Sequence, residues 1–453
     1  MQSLPITLVA FIFVLGVLVF VHEFGHYAVA KLFKVRVEVF SLGFGKRLFG
    51  FRRGDTDYRI SILPLGGYVK MTGENPLEAR SGDPGEFMSH PRWQRFLIAI
   101  AGPAMNIILA IVVLTGLYMY RYNYPAYFDQ PAEIGWVSEG SPAQTAGFQL
   151  GDKIINIQDK QDPTWDDFRF QLAGNNHRNL DVDVRRVERT VHLTLPVQLS
   201  DEVDPFTQLG LIPAQPIIVD EALPGEPAEK AGFQAKDQII AVNGVNIQFG
   251  GYEALREMLQ KFKDSPAQIT IRRNGQLVEK TLVPEYIADS KGDDKAYRLG
   301  VQLWRDMKME KLRFPAALST AVDRSRKYST LIFKVVSRLV TGKESLKVLG
   351  GPVEIARQSG RAAQGGFVDL LEFMCIISLN LAIFNLLPIP ILDGGLMLML
   401  LLEGIMRRDI KQQIKERVYQ AAFVFLVLFA AVVIYNDVTK SLPGGKTANS
   451  QKK

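Results

Sequence analysis

Apolar residues crowd into four stretches: about Pro5 to Ala30, Phe96 to Tyr120, Phe367 to Leu387 and Val418 to Tyr435. Each is long enough to cross the roughly 30 Å hydrocarbon core as a helix. Between the first two the period changes. Val35-Arg36-Val37-Glu38-Val39 and Tyr58-Arg59-Ile60-Ser61-Ile62 alternate apolar and polar side chains. They are broken by Gly43-Phe44-Gly45 and by Leu63-Pro64-Leu65-Gly66-Gly67-Tyr68-Val69-Lys70-Met71. A period of two with Gly and Pro punctuation predicts short strands and turns. Irregular backbone this close to a membrane span needs protein or a watery cavity around it. Segment 35–71 is therefore expected to be a membrane-associated β-hairpin loop. Its strand edge, with Gly66 and Gly67 on it, would be offered to an extended peptide.

From about Tyr124 to Tyr286 the pattern turns soluble and repeats itself. The stretch opening at Gly140 (Gly-Ser-Pro-Ala-Gln-Thr-Ala-Gly-Phe-Gln-Leu-Gly-Asp-Lys-Ile-Ile) returns 85 positions later, at Gly225, with more than half its residues unchanged. A period that long marks duplicated domains, since solenoid units are shorter. Each unit reads as a short helix, a Gly-containing turn and an apolar strand. Val/Thr-rich strands such as 180–184 and 268–272 follow. These units resemble the PDZ domain in the form found in bacterial protease assemblies, which implies peptide ligands held at a strand edge. Beyond them, Phe314 to Thr341 mixes short apolar runs with Arg and Lys and predicts an interfacial amphipathic helix. Leu349-Gly350-Gly351-Pro352 predicts a turn.

Charge refines the picture. The loop between the first two stretches carries eight basic side chains from Lys31 to Arg59, and Arg407, Arg408, Lys411, Lys415 and Arg417 lie between the last two. Both short loops are thus expected on the cytoplasmic side, with the long insert and both termini outside. The first stretch lacks the basic flank and the small-residue cleavage site of a signal peptide, so it is expected to be a retained span. The net charge of +6 is modest and forms no basic tract interleaved with aromatics, which argues against nucleic acid as a partner. Cys375 is alone, so no internal disulfide can form.

The first apolar stretch closes on Val21-His22-Glu23-Phe24-Gly25-His26. Ionisable groups at the end of a span are costly and are functional by default. On a helix His22 and His26 project from one face and suit two ligands of one Zn²⁺, with Glu23 beside them to act on water there. A catalytic zinc needs a third protein ligand and keeps its fourth position open. His177 and His192 fall in the insert, on the far side, while His90 in the basic loop remains open. The better candidate comes from span parity: the first and third spans run the same way and end on the same side. There stands Asn385-Leu386-Leu387-Pro388-Ile389-Pro390-Ile391-Leu392-Asp393-Gly394-Gly395, whose prolines forbid regular helix. Asp369 and Glu372 enter the third span from its other end. Asn106, in the Gly-containing second span, reads as a packing residue.

His22-Glu23-Phe24-Gly25-His26, Leu392-Asp393-Gly394 and the Leu63–Met71 block together resemble the site-2 protease family. The paired PDZ-like units narrow this to the bacterial branch that regulates sigma-E. The resemblance implies an intramembrane metalloendopeptidase. Zn²⁺ would be held by His22, His26 and Asp393, with Glu23 as general base. It also implies that Asn385, Pro388 and Pro390 help seat substrate, that Asn380 supports the site, and that Gly43-Phe44-Gly45 belongs to a membrane-dipping loop. Substrates would be single-span membrane proteins, namely an anti-sigma factor and remnant signal peptides, cut within the lipid bilayer of the inner membrane. The expected fold is a multi-pass α-helical membrane protein: four transmembrane helices, two inserted PDZ-like α+β domains and the β-hairpin loop. The expected parts are a catalytic core in two halves (1–123 and 367–453), PDZ-like domains at 124–213 and 214–290, and an amphipathic connector at 291–366. The opposing reading is a non-catalytic PDZ-bearing membrane adaptor with a relict metal site. A transporter is a third, weakened by the small number of spans and the lack of an inverted repeat.

Overall fold

A computed structural model describes residues 4–74, 82–158, 160–176, 178–199, 204–288, 295–304, 306–342 and 350–441. The chain divides into two compact units, 1–121 with 311–453, and 122–310. In the first unit α1 (Leu4–Leu32) runs without a charged residue until Glu23, and α2 (Arg92–Tyr120) continues through Pro103. The two helices pack closely because glycines face the crossing. A Cβ on Gly25 would stand 2.4 Å from the Ala101 carbonyl oxygen, and one on Gly102 would stand 2.3 Å from His26 Nε2. Small residues at such a contact let backbones approach where lipid offers no hydrophobic drive to association.

Between these helices the alternating pattern forms β1 (Val37–Arg53) and β2 (Thr56–Met71), not the short strands expected. The two long strands fold back on themselves. Val39 to Leu42 pair with Asp57 to Ile60 on one side and with Lys70 to Gly67 on the other. Gly43 and Gly45 permit this fold by adopting φ of 87° and 88°. The inner end packs Val37, Phe40, Val69 and Met71 against Ala30, Phe87 and Ile98. From Phe44 to Arg53 the strand is exposed on both faces.

The second unit opens with β3 (Tyr122–Pro125) and then builds two similar α+β halves. The first comprises β4 (Ile134–Val137), α3 (Pro142–Ala146), β5 (Lys153–Ile157), β6 (Lys160–Gln161) and α4 (Trp165–Gly174). It ends with β7 (Arg178–Arg186), β8 (Arg189–Val197), α5 (Pro205–Leu209) and β9 (Leu211–Pro213). The second repeats the plan with β10 (Ile217–Ala222), α6 (Pro227–Lys230), β11 (Gln238–Val242), β12 (Val245–Asn246) and α7 (Gly251–Phe262). Then come β13 (Ala267–Arg273), β14 (Gln276–Leu282), β15 (Glu285–Ala288), β16 (Lys295–Arg298) and β17 (Val301–Leu303). The sheets correspond, β6-β5-β7-β8 with β12-β11-β13-β14, and β4-β9 with β10-β17.

One detail ties this duplication to the sequence. Asp152 and Asp237, the shared Asp of the repeat, are both buried, and each accepts from an arginine at 2.7 Å, Arg186 and Arg273 respectively. Each guanidinium also donates to the carbonyl of the glycine that follows the short helix, Gly147 or Gly232. Arg273→Ala would leave Asp237 buried without its cation. We expect a loss of about 3 kcal/mol, the low end for breaking a buried pair because the guanidinium is partly exposed. Hydrogen exchange should show this as lost protection in β11 and β13, with β5 and β7 unchanged.

The second half ends later than the sequence indicated. β17 completes its sheet, and β18 (Met307–Glu310) pairs back with β3, so the unit reaches Glu310 and the boundary at 290 falls inside it. The chain then re-enters the first unit through α8 (Phe314–Val340), which packs on α2 and on the third span. Leu349 lies outside the described residues, and Pro352 begins a helix, α9 (Pro352–Gly365), that the sequence reading lacked. α10 (Phe367–Asn385), α11 (Asp393–Met406) and α12 (Gln412–Ser441) finish the chain. Among the described residues, four helices have the length and apolarity to cross a membrane: α1, α2, α10 and, over Gln412–Tyr435, α12.

Candidate metal centre

Near the end of α1, His22 and His26 stand one turn apart with their Nε2 atoms 3.3 Å from each other. Asp393, the first residue of α11, brings Oδ2 to 3.2 Å from His22 Nε2 and Oδ1 to 3.4 Å from His26 Nε2. A zinc ion bonded at about 2.0–2.1 Å in tetrahedral geometry separates its ligand atoms by about 3.3–3.4 Å. The two Nε2 atoms stand at such a spacing, and one ligand atom from each of the three residues lies within 4.8 Å of the others. Among the described residues no other group of three His, Cys or acidic side chains comes together in this way. Two imidazoles and a carboxylate, all at least half-buried, make a donor set suited to zinc.

Backbone geometry fixes each donor. On α2, Ile98, Gly102 and Asn106 follow at four-residue intervals and face α1. The Ile98 carbonyl accepts from His26 Nδ1 at 2.8 Å, and the Asn106 amide lies 3.2 Å from His22 Nδ1. Gly102 between them leaves room for both rings. Asp393 is placed by the break after α10. Pro388 and Pro390 end the helix, and Ile391 is held at φ 90°, a strained conformation for a β-branched residue. Gly394 and Gly395 then let the chain turn back, since a Cβ on either would stand 2.3 Å from the carbonyl oxygens of Leu386 and Leu387 or of Ile389. The N-terminus of α11 is also where a carboxylate is favoured.

Glu23 points toward β2, where its carboxylate accepts from the Val69 backbone amide. Gly67 lets β2 lie close to β1 and α1 here, because a Cβ there would come within 2.7 Å of the Ser41 carbonyl oxygen and 2.9 Å of Val19. Gly66, at φ 122°, lies against the Phe44 ring. Asn385, the last residue of α10, brings Nδ2 to 3.4 Å from His22 Nε2. Next to Asp393 opens a cavity of about 420 Å³, walled by Met71, Phe87, Leu396 and Met399, with Glu74, Glu403 and Lys415 also on its lining. Burial pushes the Glu74 carboxyl up, opposed by the hydrogen bond from Met71 N–H. Buried Glu403 pairs with Lys415 at 2.6 Å, and the Arg92 guanidinium holds the Asp409 carboxyl below the usual carboxylate range.

Other candidates stand apart. His90 pairs with Gln94, His192 pairs with Asp183, and His177 lies outside the described residues. Asp369 is in the first turn of α10, at the opposite end from Asn385. Asn380 makes no hydrogen bond to the three donors among the described residues, and Pro388 and Pro390 shape the turn without entering the cluster. Sequence reasoning missed the contact of Asn106 with His22. The four-residue spacing of Ile98, Gly102 and Asn106 was the available signal.

Comparison with known proteins places this geometry. The profile of peptidase family M50 matches residues 10–429. Protease RseP of Yersinia pestis is 33% identical over 97% of this chain and all of its own length. Regulator of sigma-E protease RseP of Escherichia coli K12 is 32% identical over 96% of this chain and 98% of its own. A Vibrio cholerae protein whose name describes a zinc metalloprotease is 33% identical over 95% of this chain and 98% of its own. The chain belongs to peptidase family M50 and is a zinc-dependent intramembrane metalloprotease.

Proposed function

We propose that His22, His26 and Asp393 hold the zinc and that Glu23 is the general base in hydrolysis of peptide bonds within the spans of single-pass membrane proteins. The observation that carries this reading is the convergence of the two Nε2 atoms, 3.3 Å apart, on one carboxylate that reaches each of them with an oxygen at 3.2 or 3.4 Å, beside a second carboxylate that binds none of them. Zinc, when bound, polarises the scissile carbonyl and brings the pKa of water toward about 7. Glu23 takes the proton from the attacking water and returns it to the leaving amine. Asn385 Nδ2, close to the donors, is placed to donate to the substrate carbonyl as charge develops there. A helical substrate hides its carbonyls in its own hydrogen bonds and must unwind. Residues 67–71 of β2, next to Glu23, supply a strand edge for the extended segment.

The resemblance carries an anti-sigma factor and remnant signal peptides as the substrates, and the name of the Escherichia coli relative, regulator of sigma-E protease, agrees with the first of these. The duplicated halves of the 122–310 unit read as PDZ-like domains that screen or bind the outer parts of substrates at a strand edge. The basic loops support a metal centre toward the cytoplasmic face of the inner membrane and a PDZ-like pair in the periplasm. The test is purification in detergent with zinc content and cleavage of a single-span reporter measured together. Stoichiometric zinc, cleavage lost to a chelator and cleavage restored by Zn²⁺ are the expected results. A zinc-loaded protein that leaves every such reporter intact would favour an adaptor instead.

A further inference from the structure

We infer that Asn106 is the positioning residue that fixes His22 as a metal ligand, its amide oxygen accepting a hydrogen bond from the imidazole Nδ1–H. This rests on the zinc reading above and deepens it. The Asn106 side chain is fully buried, with Nδ2 at 3.2 Å from His22 Nδ1 and with Oδ1 lacking any hydrogen-bond partner. His22 Nε2 meanwhile faces Asp393 and His26, so its lone pair is the one offered to the cation. A neutral imidazole that binds through Nε2 carries its hydrogen on Nδ1. As drawn, two donors would then face each other while a buried oxygen goes without one. Amide oxygen and nitrogen are assigned from their surroundings and not from shape. Turning the Asn106 amide by half a revolution gives Nδ1–H an acceptor and removes the clash of donors, with Nδ2 moved to the side where Oδ1 meets no partner.

A second observation agrees. His26 Nδ1 lies 2.8 Å from the Ile98 carbonyl, which can only accept, so this ring too carries its hydrogen on Nδ1 and presents Nε2. Ile98 and Asn106 thus treat the two imidazoles alike from one face of α2, one with a backbone carbonyl and the other with a side-chain amide. The position of Asn106 is itself fixed from a third helix, since buried Ser378 of α10 donates to the Asn106 carbonyl at 2.8 Å.

The test is zinc affinity of the full chain in detergent, by competition with a chromogenic chelator, alongside the visible spectrum of the Co²⁺-substituted protein. Asn106→Leu keeps the volume and removes the acceptor. It should weaken zinc binding about 10- to 100-fold, the usual effect of losing an orienting partner, and alter the cobalt bands. Asn106→Asp keeps an acceptor at the same place and should hold affinity within about threefold of the wild type, a smaller change than that range. Asn106→Leu binding zinc like the wild type would overturn the inference. So would Asn106→Asp failing as badly as Asn106→Leu, because the residue would then matter only for packing. A wild-type chain that takes up no zinc would instead refute the underlying reading of the site.

Discussion

Replacing Glu23 with Gln leaves zinc bound and lowers cleavage of a single-span reporter by about 10²- to 10⁴-fold, the range that a positioned acid–base group contributes. The substitution is nearly isosteric, and Glu23 is not among the three clustered donors. Its contact with the β2 backbone changes only in kind, because the Gln amide oxygen can still accept from Val69 N–H. What disappears is the capacity to take a proton from water and deliver it to the leaving amine. Reporter turnover and zinc content, measured on one preparation, separate these properties. Normal turnover by the variant would end the proposal for Glu23.

Asp393→Ala is expected to lose zinc and activity together. Asp393 supplies the only anionic donor of the three, and its two oxygens reach toward both histidines. Without it the buried imidazoles have no negative partner between them, and the site falls to two ligands. The loss of affinity should exceed the roughly 10- to 100-fold that follows from losing an orienting partner. Metal content after dialysis against buffered low zinc is the measurement. A stoichiometric metal in this variant would mean that another group supplies the third ligand. The contrast with Glu23→Gln, which keeps its metal, is what assigns separate roles to neighbouring acids.

Much of this arrangement was legible because it rests on long-range rules. Uninterrupted apolar runs predict α1, α2, α10 and α12, and their alternating direction puts Asp393 at the level of His22, where the fold has it. Local rules did less well where tertiary contacts override them. Asp393-Gly394-Gly395 after two prolines reads as continued loop, yet α11 starts at Asp393. Its glycines serve close approach to the preceding carbonyls, a reason visible only in three dimensions. β1 and β2 were expected to be short because Gly and Pro interrupt them. In the fold those residues bend long strands without ending them. Asn106 reads as a packing residue because its four-residue spacing from Ile98 and Gly102 marks a shared helix face without showing which ring of α1 it meets.

The separation of the metal donors along the chain has a consequence in time. His22 and His26 emerge at the start of synthesis, and Asp393 follows about 370 residues later, after the whole 122–310 unit. At roughly 5–20 residues per second, that interval lasts on the order of 20–75 s. During it the nascent chain sits in the membrane among single-pass proteins with its histidines made and its acid still missing. On the proposed ligand set, the site stays without its acid until translation has passed Asp393, and a chain that stops short of it is expected to cleave nothing.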